Sequence, residues 1–71
     1  MPAFRDRAEQ RTVELSVEFL GRETDKAYLV YDGTKNCWVP FSVTEERHGN
    51  LKGGPGIIVI HEWFAKKEGL I

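Results

Sequence analysis

Seventy-one residues, with ten Lys and Arg against eleven Asp and Glu, make a small and nearly neutral chain. That balance lacks the basic footprint of an ordinary nucleic-acid binder, and it also lacks the dense negative charge of a duplex mimic. The 41% apolar content, with two Trp, two Tyr and four Phe, argues against a disordered tail and for a single folded domain near the lower size limit of a self-sufficient core.

One cysteine forms no intramolecular disulfide, so the fold must stand without that staple. No apolar run reaches the length of a membrane span, and the first residues lack a signal-peptide core. A soluble, cytoplasmic protein with no membrane association is therefore expected.

In chain order, residues 1–11 mix arginines with acids and show no apolar periodicity, which predicts a flexible N-terminal arm. Arg5, Arg7 and Arg11 are its candidate contacts should it order on a partner. Residues 12–71 form the predicted domain. Val13, Leu15, Val17 and Phe19 alternate with Thr12, Glu14, Ser16 and Glu18, the period-two pattern of a strand with one buried and one wet face. A polar turn at 21–25 leads to a second strand at 26–31 and a third at 36–42, joined through Asp32-Gly33. That dipeptide readily takes the positive φ of a tight hairpin, so Gly33 is expected there with φ > 0.

Ala27, Leu29, Cys37 and Val39 are placed inside with the apolar face of the first strand, leaving Tyr28, Val30 and Trp38 as an outer aromatic cluster. Pro40 has no N–H for a ladder, so the third strand is expected at an edge or a bulge. Cys37 reads as a small core residue, since no neighbour in sequence marks an activating partner.

Residues 43–56 read as a long polar connection, with Thr44-Glu45-Glu46 starting a single helical turn. Gly53-Gly54-Pro55-Gly56 beside Lys52 does not match a P-loop, because a run of branched residues follows where a helix should begin. That run, Ile57–Ile60, predicts a strand at 56–60 covered on both faces. A short helix follows at 61–68, stopped by Gly69, with Trp63 and Phe64 plugging the core, Glu62 and Lys66 paired outside, and Leu70 contacting the cap. The expected fold is mainly β: a small four-stranded antiparallel SH3-like barrel or curled sheet with one C-terminal helix.

No catalytic motif is present. Histidines 48 and 61 lack metal-ligand spacing, and a domain this small rarely encloses a deep pocket, so the protein is expected to be non-enzymatic, without cofactor or metal.

The sequence Glu23-Thr24-Asp25-Lys26-Ala27, then Trp38-Val39-Pro40 with Ser42, then Glu62-Trp63-Phe64-Ala65 and Lys67-Glu68-Gly69-Leu70, resembles small accessory proteins of bacteriophages and other mobile elements. Their pattern is ETxKA, W-[IV]-P-x-S and a closing EWLAxxxGL, matched over about residues 22–70. The resemblance implies a small barrel or sheet-plus-helix fold and a phage-type origin, and it brings no catalytic residues. Phe41 stands where a lysine is common, which makes that edge less basic, and His61 stands where a proline often opens the helix.

The function expected from these features is a binding module for a host protein or nucleoprotein complex, with an anti-CRISPR-type inhibitor of host defence as its most specific form. The contact residues expected for it are Tyr28, Tyr31, Lys35, Trp38, Phe41, Glu45, Glu46 and Arg47. The alternatives are a single-stranded DNA or RNA binder stacking bases on Tyr28, Tyr31 and Trp38, which the net charge disfavours, and, less favoured still, a small enzyme or metal protein. An edge strand also offers a route to a homo-oligomer.

Overall fold

A computed structural model describes residues 11–71; the expected N-terminal arm lies outside them apart from Arg11. Five antiparallel strands form one sheet: β1 (Thr12–Glu23), β2 (Ala27–Tyr31), β3 (Asn36–Pro40), β4 (Thr44–Gly49) and β5 (Gly54–His61), followed by helix α1 (Glu62–Lys67). Their order across the sheet is β3-β2-β1-β5-β4. The two edge strands, β3 and β4, are consecutive in the chain and joined by a single 3-10 turn at Phe41–Val43. A three-residue link between opposite edges requires the sheet to curl until those edges approach at that end. The result is a curled sheet that does not close into a barrel.

The concave face holds the core. Val13, Leu15, Val17 and Phe19 of β1 lie opposite Ile60, Ile58, Gly56 and Gly54 of β5, and Phe19 also lies opposite Val30 of β2. Phe19, Tyr28, Val30, Val39, Ile58 and Ile60 are fully enclosed. The alternation in β1 and in β3 therefore places side chains as expected. In β2 it does not: Tyr28 and Val30 point into the core, while Ala27 and Leu29 lie on the convex face, where Leu29 is nonetheless buried. Ala-Tyr-Leu-Val-Tyr is apolar in both parities, so periodicity alone does not choose a face. The register with β1 chooses it, and the Tyr28 hydroxyl then finds Thr44 Oγ1 at 2.8 Å, so the buried phenol keeps a hydrogen bond.

The connection expected at 43–56 instead contains β4. Its six residues, Thr-Glu-Glu-Arg-His-Gly, hold no apolar side chain, and no helical turn starts at Thr44. A charged edge strand protects the sheet from edge-to-edge pairing, and that protection hides it from a hydrophobic-pattern search. Across from it, Ile58 and Ile60 are buried but Ile57 is 36% exposed, so β5 is covered fully on one face only.

The helix also departs from expectation. Phe64 and Ala65 are buried while Trp63 is 53% exposed. His61 is still extended, at φ −65° and ψ 134°, so the helical phase starts at Glu62 and not at residue 61. Arg11 O accepts the first helical N–H, from Glu62, at 2.7 Å. The C-terminus closes as the sequence predicts. Gly69 has φ 73°, its N–H reaches Lys66 O at 3.2 Å, and Leu70 N–H reaches Ala65 O at 2.8 Å, with Leu70 packed on the core. The Glu62–Lys66 pair forms at 3.8 Å.

Candidate binding surface

The β2–β3 hairpin presents two faces of different character. Its turn is fixed by Asp32, whose Oδ1 accepts the backbone N–H of Thr34 at 2.7 Å and of Lys35 at 2.8 Å, while Gly33 takes φ 102° as expected. These two backbone hydrogen bonds hold the Asp32 carboxyl below its ordinary value of 3.8. A depressed carboxylate pKa contributes stability that is present above the unfolded-state value and lost as pH falls through the folded one. Asp32→Ala is accordingly expected to lower the melting temperature at pH 7, with the deficit shrinking as the pH drops below about 3.8; a deficit equally large at pH 2 would show that the carboxylate is not the cause.

On the convex side of this hairpin, Trp38 is 47% exposed and lies directly across from Leu29. Tyr31, 38% exposed, lies across from Asn36 on the same face, diagonal to Trp38, with its hydroxyl donating to Gly33 O at 3.1 Å. The patch continues inward along the sheet. Tyr31 borders an open groove of about 570 Å³ with Ser16, Glu18, Gly33, Pro55 and Ile57. Lys35, at the tip of the hairpin, turns away from this face and donates its Nζ to the carbonyl of Glu68, tying the turn to the end of α1.

On the concave side, Arg47 of β4 places its guanidinium 4.7 Å from the centre of the Tyr28 ring and 4.9 Å from that of Phe41, and pairs with Glu23 at 3.4 Å. Thr44 Oγ1 also donates to Pro40 O at 3.0 Å, which locks the 3-10 turn beneath these rings. Burial pushes the Tyr28 phenol up, with the Thr44 hydrogen bond and the Arg47 charge opposing it. Burial pushes the Cys37 thiol up as well, reinforced by Glu68. Cys37 is thus a core residue held as a neutral thiol.

The expected contact residues therefore separate. Tyr31 and Trp38 come together on the convex face. Tyr28, Phe41 and Arg47 form a largely internal cluster that joins the two edges of the sheet, so Tyr28 and Trp38 do not share a stacking surface. Glu45 and Glu46 diverge: Glu45 meets His61 at 3.0 Å and Glu46 meets His48 at 2.7 Å. Sequence reasoning missed the groove and its residues Ser16, Pro55 and Ile57. The only sequence signal for it is the interruption of a β pattern by Pro55-Gly56, which leaves a gap beside the larger side chains of β1. Among the described residues, no group of three His, Cys, Asp or Glu side chains gathers around a common point, and no helix is long and apolar enough to cross a membrane. No family model, curated protein or solved structure matches the chain.

Proposed function

We propose that the protein is a non-enzymatic binding module, a phage or mobile-element accessory protein and most specifically an anti-CRISPR-type inhibitor, that engages a host protein or nucleoprotein complex through the convex face of its β2–β3 hairpin. The observation that carries this reading is Trp38. A large aromatic ring is left 47% exposed in the middle of an edge strand, beside Tyr31 and a shallow apolar groove. Trp and Tyr dominate binding energy at protein interfaces, and they do so in patches of this kind, apolar with a polar surround. The near-neutral charge suits a protein surface better than a phosphate backbone.

The test is capture from bacterial lysate with the wild-type protein and with Trp38→Ala, paired with thermal melts. The expected result is a specific host protein retained by the wild type and lost by the variant, with the two melts within about 0.5 kcal/mol of one another, as for a surface substitution. Retention of the same partner by Trp38→Ala, or binding of a random oligonucleotide with a steep salt dependence, would count against the reading.

A further inference from the structure

The backbone of β3 is paired with β2 on one side only among the described residues, and the hydrogen-bond phase of that pairing identifies which groups remain. Phe41 N–H donates to Lys26 O at 2.9 Å and Asp32 N–H donates to Lys35 O at 3.1 Å. In an antiparallel pair, hydrogen-bonded and non-hydrogen-bonded positions alternate. With the observed register, Tyr28↔Val39 and Val30↔Cys37 are hydrogen-bonded pairs, while Leu29↔Trp38 and Tyr31↔Asn36 are not. The N–H and C=O groups of Asn36 and Trp38 therefore point to the outer edge. Pro40 presents only a carbonyl there, and that oxygen already accepts from Thr44.

The two edges of the sheet are not equivalent. β4 carries Glu45, Glu46, Arg47 and His48, the charges that keep an edge from pairing. β3, Asn-Cys-Trp-Val-Pro, carries none. Its sequence is also self-complementary about Trp38. An antiparallel approach of two β3 strands across a two-fold axis at Trp38 sets Trp38 opposite Trp38, Asn36 opposite Pro40 and Cys37 opposite Val39. The two Trp38 residues exchange N–H···O=C bonds, and each Asn36 N–H donates to the free lone pair of the other copy's Pro40 carbonyl. The proline accepts there but has no N–H to return, so each Asn36 carbonyl stays with solvent and the pairing rests on four hydrogen bonds, two at Trp38 and one at each end. No like charges meet along the strand, and the chain's net charge of −1 sets up little long-range repulsion between copies.

We infer that β3 is a self-pairing edge and that the protein forms a two-fold homodimer through it, its two sheets continuing into one. Strand-edge pairing leaves side chains on the sheet faces, so the two Trp38 rings stand side by side on the convex surface, flanked by both Tyr31 rings. The aromatic patch is doubled and not occluded. The pairing does not depend on a host partner, because its readout is the mass of the purified protein.

Sedimentation equilibrium tests it. An edge contact of five residues a side falls in the small, weak class of interfaces, so the weight-average mass should climb from 8.1 kDa toward twice that value between about 10 μM and 1 mM. Trp38→Lys sets two ammonium groups opposite each other at the axis and should return the protein to 8.1 kDa at every concentration, with an unchanged far-UV spectrum. Should that variant unfold, Asn36→Pro serves in its place. It deletes an edge N–H that β2 does not use and should lower the association constant at least tenfold. A wild-type mass of 8.1 kDa throughout, or a dimer that survives both substitutions in folded protein, overturns the inference.

Discussion

Phe19→Ala is expected to destabilise the protein by about 3–5 kcal/mol, the cost of emptying a fully buried aromatic site. Phe19 is 2% exposed and occupies the centre of the concave face. Its backbone is paired with Val30 on one side and Gly54 on the other, and its ring lies 6.2 Å from that of Tyr28, centre to centre. Its neighbours carry that contact to the edge of the sheet, since Tyr28 bonds Thr44 of β4 and Gly56 pairs with Gly49. A small domain of this size sits near the low end of a 5–15 kcal/mol range of total stability. The substitution is therefore expected to leave a substantial unfolded fraction at 37 °C, read directly by urea titration. A loss below about 1 kcal/mol would mean that the concave face repacks freely, which is incompatible with a ring held on three sides.

Gly56→Ala is expected to cost about 1–3 kcal/mol, through overpacking and not through backbone strain. A β-carbon at this position would collide with the Phe19 ring and come within 2.5 Å of the His48 carbonyl oxygen. The ring can shift, but the carbonyl belongs to the β4–β5 ladder, where Gly49 lies opposite Gly56. An aromatic side chain laid across a strand glycine is a device for curving a sheet while keeping it covered. The two substitutions should therefore be non-additive. In the Phe19→Ala background the ring collision disappears and only the carbonyl contact remains, so Gly56→Ala should cost at least 0.5 kcal/mol less there. Strict additivity in a double-mutant cycle would refute a direct contact between the two residues.

The parts of this fold legible in the sequence are those where one physical signal acted without competition. β1 alternates cleanly, the Asp32-Gly33 turn can take few conformations, and the Gly69-Leu70 ending permits one cap. β2 was legible as a strand but not in its facing, because Tyr28, Leu29 and Val30 are all apolar and only the register with Phe19 distinguishes them. β4 was not legible at all. It is a strand because β5 needs a neighbour, and its one inward-facing long side chain, Arg47, takes the place of an apolar residue by lying against the Tyr28 and Phe41 rings. Trp63 was misplaced for a reason of phase: a helix beginning one residue later than the apolar run suggests turns a different face to the core. In the candidate site, Tyr31 and Trp38 were identified by residue type, whereas their separation from Tyr28 follows from β2 parity and became visible only with the strand register.

The placement of Trp38 in solvent, outside the core, decides between an interface residue and a structural one. It is tested most directly by fluorescence of Trp63→Phe, in which Trp38 is the sole tryptophan. Trp63 is itself half exposed, so the replacement disturbs little. At low micromolar concentration the native emission should lie close to that of the urea-denatured protein and be quenched readily by acrylamide. A blue-shifted emission that resists acrylamide would place Trp38 inside the molecule and rule it out as an interface residue.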